Sequence, residues 1–314
     1  TGGRVGPVRV KSLSGGVFRL RNPWDSGAVV QRRQGKERLE RGGVDVTCLG
    51  PRPDGRLDVA AVERAFNDQT VLVSVMAANN EIGTIQPVAE IGSLCKENGV
   101  FFHTDAVQWF GKLPLSSIDD FNADLVSLCP HKFHGPNGIG LLYCKSPLNP
   151  SPIILGGAHE NERRGGTENL PAIVGLAEAI SRFISSPVFP SSLSPLSCRL
   201  ISAINKLEGA VFLGDPLPSG RLCNTVSFSL VSSDSISLLG SLDLEGICAS
   251  SGSACASGAV SPSHVVRALG SKDSLANSLI RFSLGRDSCD SEIDHVLSLL
   301  PSILSRFRPS DNFG

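Results

Sequence analysis

The feature that most limits how this chain can fold is an alternation of short apolar runs with helix-length amphipathic stretches, which begins near Val44. Residues 71–76 form an apolar run of strand length, and residues 87–98 repeat apolar side chains at helical spacing before Gly99. Further runs of strand length follow at residues 100–103, 123–128 and 139–143. Strands that alternate with helices in this way predict an α/β fold with a mostly parallel sheet covered by helices on both faces.

The second half of the chain predicts a separate and smaller domain. A helix at residues 171–184 is expected to end the first domain, and the Ser- and Pro-rich stretch 185–196 is the expected boundary. Strands are predicted at 210–213, 225–230, 246–249 and 279–284, with helices near 235–241, 262–269 and 291–306. We therefore predict a partial large domain at residues 31–185 and a small α+β domain at residues 186–314.

The first thirty residues differ from the rest of the chain. Residues 1–43 contain ten Lys or Arg against three Asp or Glu, with many glycines and no sustained apolar period. This composition predicts that residues 1–30 are poorly ordered. An Arg-rich leader peptide for an organelle is one interpretation, and a processing or gene-model boundary is the other.

Composition excludes several classes of function. A formal net charge of -1 over 314 residues argues against nucleic acid or an anionic membrane as the main partner. No apolar run approaches the roughly 20 residues of a membrane span. The nine cysteines include no C-x-x-C pair, so neither a metal site nor a disulfide framework is predicted. Six of them lie in apolar stretches and are expected to be buried free thiols, which favours a cytoplasmic location, with a mitochondrial one as the alternative.

Two residues after predicted strands have the chemistry that pyridoxal phosphate requires. Asp105 ends an apolar strand, where a carboxylate costs several kcal/mol unless it is paired. Its partner could be a protonated pyridine nitrogen, or it could cap the segment that starts at Ala106. Lys132 lies between His131 and Gly135 in a turn, and a lysine confined there could be desolvated and so nucleophilic. The alternative is an ordinary solvated lysine.

Further candidate residues lie around this pair. Gln108 could reach the phenolic oxygen of the same ring, whereas His103 is expected to be a hydrogen-bonded histidine at a strand end. A glycine-rich basic loop at residues 156–168 includes Thr167, whose hydroxyl could bind a phosphate. Arg281 interrupts an apolar strand and needs an anion, either a substrate carboxylate or a structural ion pair.

Cys255 differs from the other cysteines because only small residues surround it. The stretch 250–258 contains Ser, Ala and Gly apart from this one thiol. Such a segment has little side chain to pack, so it predicts a mobile loop that presents a nucleophile.

The segments that contain these residues resemble, in their order along the chain, the NifS-like cysteine desulfurases of the class V aminotransferase family, with selenocysteine lyases as near relatives. The matching segments are 78–83, 103–108, 131–136, 164–169, 250–255 and 281–285. The resemblance implies a fold-type I pyridoxal phosphate enzyme. It implies that Lys132 holds the cofactor covalently, Asp105 binds the pyridine nitrogen, Gln108 the ring hydroxyl, and His131 lies beside the ring.

The same resemblance implies roles for the remaining candidates. Asn80 would lie near the cofactor oxygen and the substrate carboxylate, which Arg281 would clamp. Thr167 would reach the phosphate of the partner in a homodimer. Cys255 would take sulfur from L-cysteine as a persulfide, release L-alanine and pass the sulfur to an acceptor protein.

Two departures from the family pattern bear on this interpretation. Family members have a longer region ahead of the matching segments, with a phosphate-binding loop that finds no counterpart here, so we expect the chain to be incomplete at its N-terminus. Cys129 stands where the family often has a phosphate-binding serine. Selenocysteine lyase activity, or an inactive truncated homologue, therefore remain the alternatives to a cysteine desulfurase.

Overall fold

The computed structural model describes residues 16–20, 43–185, 189–231, 233–252 and 262–307. The chain divides into two compact units. The first contains the described residues up to Leu49, then Leu57–Ala78 and the chain from Gln86 to the helix end at Ser185. The second contains Gly50–Arg56, Asn79–Ile85 and the chain from Phe189 onward. The main division falls close to the predicted boundary, but two short early segments belong to the second unit.

The first unit is built on a six-stranded sheet. Its strands are β1 (Gly16–Leu20), β2 (Val44–Cys48), β3 (Thr70–Met76), β4 (Phe101–Asp105), β5 (Leu125–Leu128) and β6 (Leu141–Cys144), in the order β2-β1-β3-β4-β5-β6. Strands β3, β4 and β5 are parallel neighbours, whereas β1 and β6 are antiparallel to the strands beside them. Four of the six strands therefore point the same way, as the predicted α/β fold requires.

Strand β1 lies inside the stretch that we expected to be poorly ordered. It pairs with β2 on one side and with β3 on the other. Sequence reasoning missed this strand because the surrounding glycines and arginines hide a short run, Val17-Phe18-Arg19-Leu20, whose β-branched and aromatic residues favour a strand.

Three helices belong to the first unit: α1 (Val59–Arg64), α2 (Val88–Glu97) and α3 (Leu170–Ser185). Helix α2 buries Ile91 and Cys95 and ends before Gly99, whose φ of +66° is the left-handed conformation that glycine adopts at low cost. Gly92 allows the helix to approach its neighbour, because a Cβ there would lie 2.6 Å from the carbonyl oxygen of Asn122. These contacts fix α2 against the sheet between β3 and β4.

An aromatic group supports the 3-10 turn Pro130–Lys132 that follows β5. The Phe133 ring is fully buried, with ring centroids 4.8 Å from Phe110 and 6.0 Å from Phe183 of α3. Gly111 makes room for it, since a Cβ there would lie 2.6 Å from Cβ of Phe133. Edge-to-face packing of these three aromatic rings therefore anchors the end of the turn in the interior.

The second unit has a three-stranded antiparallel sheet in the order β7-β8-β9, with β7 (Ala210–Leu213), β8 (Thr225–Leu230) and β9 (Leu279–Ser283). Its helices are α4 (Phe189–Ile204), α5 (Ser235–Leu244), α6 (His264–Ala268), α7 (Asp273–Asn277) and α8 (Asp290–Ser305). One core cluster of this unit consists of Ile82, Leu213, Val266, Ala276 and Leu279. Ile82 comes from the early segment Asn79–Ile85, so that segment is part of the unit's interior.

Two expectations for the second unit are wrong. Helix α4 runs through most of the Ser- and Pro-rich stretch 185–196 that we expected to link the domains. Its apolar side chains recur at helical spacing and are buried, which outweighs the cost of Pro195 inside the helix: Leu193, Leu196, Leu200 and Ile204. The strand expected at residues 246–249 is absent from this described region, where the chain makes only the isolated bridge between Ser250 and Arg281.

Candidate active site

Asp105 and the Lys132 turn lie at the same edge of the large sheet. Asp105 is the last residue of β4 and pairs in register with Ser127 of the parallel strand β5. The amide of Ala106 donates to the Ser127 carbonyl at 3.0 Å, so the two strands end side by side. Carboxyl ends of parallel strands are where ligands bind in open α/β sheets.

The Asp105 carboxylate is buried, with 5% of the residue exposed. Its Oδ1 accepts from the amide of Val107 at 3.0 Å, so the carboxylate does cap the turn after β4. This is the structural role that sequence reasoning offered as the alternative to cofactor binding. The two roles are compatible, because an ionised carboxylate has about four acceptor positions.

Lys132 is exposed, so the expectation of a desolvated lysine is not met. The buried residues of this turn are Pro130 and Phe133 on either side, and they leave His131 and Lys132 between them at the surface. Partial burial lowers the pKa of His131, and the charge of Lys132 lowers it further. The charged form of His131 is therefore disfavoured next to the lysine amine.

Cys129 immediately precedes the turn that contains Lys132, and its thiol is affected by the charges of both candidate residues. Its Sγ lies 2.9 Å from Nδ1 of His131 and 3.7 Å from the carbonyl oxygen of Ile139. Burial raises the pKa of the Cys129 thiol and the charge of Asp105 adds to this, while a backbone hydrogen bond at His131 and the charge of Lys132 oppose it. The charges of Asp105 and Lys132 therefore shift the pKa of the Cys129 thiol in opposite directions.

His103 is a hydrogen-bonded structural histidine, as expected, although it does not lie at a strand end as the sequence predicts. It is fully buried in the middle of β4, where Nδ1 lies 2.7 Å from Oγ of Ser74 on β3 and Nε2 lies 2.9 Å from Oγ of Ser127 on β5. Burial lowers its pKa from the ordinary value of 6.5 to about 4. The neutral ring therefore joins the three central parallel strands next to the candidate site.

This histidine predicts a specific loss of stability in acid. Between pH 6.5 and pH 4 the unfolded chain binds a proton at His103 that the folded chain does not, so unfolding is favoured as the pH falls. The free energy of unfolding should drop by about 3 kcal/mol over that range through this group. Urea unfolding at several pH values measures it.

The variants for this measurement are His103→Asn and His264→Gln, since His264 is exposed. His103→Asn should be less stable at pH 7, because the hydroxyls of buried Ser74 and half-buried Ser127 lose their partner, but its stability should fall less between pH 6.5 and 4. His264→Gln should keep the wild-type slope. Equal slopes for wild type and His103→Asn would show that His103 does not titrate as we infer.

Gln108 is oriented by a buried lysine. Nζ of Lys112, which is 6% exposed, donates to Oε1 of Gln108 at 2.5 Å. The amide nitrogen of Gln108 is then the group that can donate to a ring hydroxyl or phenolate oxygen. The sequence pattern indicated Gln108 but not Lys112, although their spacing of four residues is one that brings side chains together on a helical turn.

Thr167 is exposed at the end of a compact hairpin-like loop in the first unit. His159 pairs by a β-bridge with Arg164, and the amide of Gly165 donates to the carbonyl of Ile154 at 2.7 Å. Nδ1 of His159 lies 2.9 Å from both carboxylate oxygens of Glu168, the residue after Thr167. The pKa of Glu168 is lowered, mainly by hydrogen bonds from its own backbone and from His159. These hydrogen bonds hold the loop on both sides of the exposed Thr167.

Asn80 and Arg281 come together in the second unit. Nη1 of Arg281, on β9, donates to the backbone oxygen of Asn80 at 2.5 Å. Its Nε is buried and has no hydrogen-bond partner among the described residues. Burial lowers the pKa of Arg281 and the charge of Glu81 opposes this. A partly buried guanidinium with a donor to spare is suited to a carboxylate.

Cys255 lies outside the described residues, because the structure describes the chain up to Gly252 and again from Pro262. The other cysteines are free thiols. Cys95 and Cys223 are buried as expected, but Cys48 and Cys248 are exposed, contrary to expectation. Cys48 ends strand β2 and Cys248 follows the turn after α5, and an apolar neighbourhood in sequence does not ensure burial at such ends.

Several residues around the site were not found from the sequence. Ser74 and Ser127 were overlooked inside apolar runs, although each is at a strand position that faces His103. The sequence indicates Glu81 only as part of a motif, whereas the structure buries it in the second unit, with 2% of the residue exposed.

Within the described ranges, no group of three or more His, Cys, Asp or Glu could hold a metal ion. None of the described helices is long and apolar enough to cross a bilayer.

The fold and the residues at the sheet edge define the class of protein. A mixed α/β sheet with a buried acid and an exposed lysine after neighbouring parallel strands, at one carboxyl edge, fits the fold-type I pyridoxal phosphate enzymes. The sequence profile of the family described as Aminotransferase class-V matches residues 35–296, and the chain belongs to that family.

Individual relatives agree with this assignment. The chain is 43% identical over 272 residues to "Cysteine desulfurase IscS" of Clostridium botulinum, which covers 86% of this chain and 68% of that one. A solved structure of a "NifS-like protein" superposes with a TM-score of 0.78 at 32% identity, covering 87% of this chain and 72% of the other. Another, described as "SspA in complex with cysteine", has a TM-score of 0.66 at 34% identity and coverages of 80% and 69%. The chain thus spans about two thirds of the length of these relatives.

Proposed function

We propose that this chain is a pyridoxal phosphate-dependent cysteine desulfurase that converts L-cysteine to L-alanine and forms a persulfide on Cys255. The observation that supports this most strongly is that the buried Asp105 carboxylate and the exposed Lys132 amine follow neighbouring parallel strands at one carboxyl edge of the sheet. The relative 43% identical to this chain is named a cysteine desulfurase, and a related structure is described in complex with cysteine.

The residues at the sheet edge fit the ring end of pyridoxal phosphate. A buried carboxylate can hold a proton on the pyridine nitrogen, an amide N–H of Gln108 can donate to the ring hydroxyl, and Lys132 offers the amine for covalent attachment. The bound cofactor would supply an electron sink that weakens bonds of the substrate amino acid. Cys129 is a poorer phosphate ligand than serine, and its sulfur already contacts His131 and the Ile139 carbonyl.

The second unit would bind the substrate and receive its sulfur. Arg281, with its unpartnered Nε, would hold the carboxylate of cysteine beside Asn80. The Cys255 thiolate would attack the substrate sulfur: an S–S bond forms, the substrate C–S bond breaks, and its electron pair stays with the carbon that takes up a proton to become alanine. His131 or Lys132 would deliver the proton.

The persulfide would then pass to an acceptor thiol, as sulfur supply for iron-sulfur cluster formation requires.

A homodimer is part of the proposal. Apolar side chains on α3 and on the Thr167 loop are exposed, Leu155 by 82% and Leu170 by 65%, and such surfaces are typical of protein contacts. Thr167 is exposed and lies between these residues in sequence, and in the proposed dimer its hydroxyl would bind the partner's phosphate.

The test is direct. Purified protein is incubated with pyridoxal phosphate and L-cysteine, and alanine and Cys255 persulfide are measured, with heat-denatured protein as the blank. We expect equal amounts of both in a single turnover. Circular dichroism checks that the protein is folded. If folded protein forms no alanine at saturating cofactor, the inactive homologue is favoured instead.

A further inference from the structure

Glu81 is a buried acid in the second unit to which the proposed chemistry gives no task. It lies in the turn 79–85, where Oδ1 of Asn79 accepts from the amides of Glu81 and Ile82 at 2.8 and 3.0 Å. The carbonyl oxygen of Glu81 accepts from Oγ of Ser227 on β8 at 2.5 Å. The backbone of Glu81 is thus fixed on both sides, and its carboxylate is held inside the unit at 2% exposure.

The carboxylate of Glu81 contacts residues on both sides of the segment that contains Cys255. Oγ of Ser263 donates to Oε2 of Glu81 at 2.6 Å. On the other side, a Cβ added to Gly252 would lie 3.3 Å from the same Oε2, so Glu81 packs against that glycine, whose φ is +57°. The nine residues 253–261 lie between these two contacts and outside the described residues.

The same carboxylate also acts on the strand that presents Arg281. Its charge favours the protonated guanidinium, opposing the desolvation of that arginine. Ser250 pairs with Arg281 in a bridge, with N···O distances of 3.1 and 2.7 Å. The start of the Cys255 segment is therefore joined to β9 by backbone bonds, and its far end is joined to Glu81 through Ser263.

We propose that Glu81 is a positioning residue that fixes both flanks of the Cys255 segment next to Arg281. This rests on the proposed function and deepens it. Cys255 follows Gly252 by only three residues, so the position of Gly252 limits the region that the thiol can reach. Displacing a reacting group by even one ångström is costly in rate, so a buried acid that holds the flank contributes to turnover rather than to substrate affinity.

The main test compares Glu81→Ala with Glu81→Gln. Loss of the acceptor for Ser263 should lower kcat for alanine formation about tenfold or more, in the range expected for a hydrogen bond to a charged group. KM for cysteine should not rise, because removing a negative charge near Arg281 does not weaken its attraction for a carboxylate. Glu81→Gln should recover most of kcat, since its Oε1 still accepts from Ser263.

A matched serine pair covers the case in which Glu81→Ala does not fold. Ser263→Ala removes the contact with Glu81 and also the N-cap bond of α6, in which Oγ of Ser263 accepts from the amide of Val266 at 3.2 Å. Ser229→Ala removes a hydrogen bond of β8 to the Leu275 carbonyl, 2.7 Å long, with no contact to Glu81. Ser263→Ala should lower kcat and Ser229→Ala should not, at similar losses of thermal stability. Hydrogen exchange of the peptide from Ser250 to Ser263 should quicken in Glu81→Ala and Ser263→Ala only.

The outcomes separate this inference from the proposed function. Unchanged kcat and unchanged exchange in Glu81→Ala, or a raised KM with normal kcat, would overturn the positioning role while leaving an active desulfurase. A kcat loss that Glu81→Gln does not recover would also count against it. If the wild type produces no alanine, the proposed function fails, and the exchange experiment alone decides whether Glu81 holds the flanks.

Discussion

Replacing Lys132 with Ala is expected to lower alanine formation from cysteine by at least about 10²–10⁴-fold, the range by which a positioned acid-base group contributes to catalysis. Lys132 is exposed at the same edge of the sheet as Asp105, and under the proposed function the variant would lose both the covalent attachment and a proton carrier. The variant should fold normally, because the residues that support the turn are Pro130 and Phe133, both buried. Alanine release is the measurement.

The control is Lys145→Ala, another exposed lysine of the first unit. Borohydride treatment of cofactor-loaded wild type, followed by peptide mass spectrometry, should mark Lys132 and not Lys145. A label on a different lysine would contradict the assignment, and so would a Lys132→Ala variant with wild-type turnover. This readout is independent of whether cysteine is the substrate.

Replacing Cys255 with Ser is expected to abolish persulfide formation and to reduce alanine release by at least about 10²-fold. A hydroxyl at this position is a much weaker nucleophile toward sulfur than a thiolate. Binding of cofactor should be unaffected, since the residues assigned to the ring are in the first unit. Persulfide is measured by mass spectrometry of the peptide that contains residue 255.

Cys248→Ser is the matched control, because Cys248 is an exposed free thiol in the same unit. It should keep wild-type rates of both products. Substantial alanine from Cys255→Ser would exclude Cys255 as the sulfur acceptor, and wild-type persulfide that maps to Cys248 would move the role to that residue.

The parallel core of the fold was predictable because its signals are local and strong. Strands β3, β4 and β5 are apolar runs of the right length, and helix α2 has both its buried face and its terminal Gly99 in the sequence. Asp105 and Lys132 were placed correctly at strand ends for the same reason. Parallel strands impose a common direction, so residues that follow them reach one edge of the sheet.

Other features depend on information that the sequence does not display locally. The prolines and serines of helix α4 predict a linker, whereas in the fold its four buried apolar side chains decide the conformation. Lys132 was expected to be desolvated because of its neighbours in sequence. The exposure of Lys132 depends on which residues of the turn pack into the interior. Phe133 does so against Phe110 and Phe183, and Lys132 is left at the surface.

The hydrogen bonds of His103 illustrate a third kind of limit. The sequence indicates a histidine in an apolar strand, but not which neighbours satisfy it. Ser74 and Ser127 become its partners only through the registers of β3 with β4 and of β4 with β5. Register is a property of the assembled sheet, so such contacts are found by topology and not by local pattern.

The early segments that belong to the second unit constrain how this protein can be cut or recombined. Ile82 is 1% exposed in a cluster with Leu213, Val266 and Leu279, and Oγ1 of Thr84 accepts from the amide of Asp215 at 3.1 Å. A fragment that starts after residue 187 would lack Ile82, Thr84 and Glu81, leaving a gap in its interior. The C-terminal half is therefore not a transferable module, and chimaeras with relatives should exchange residues 79–85 together with it.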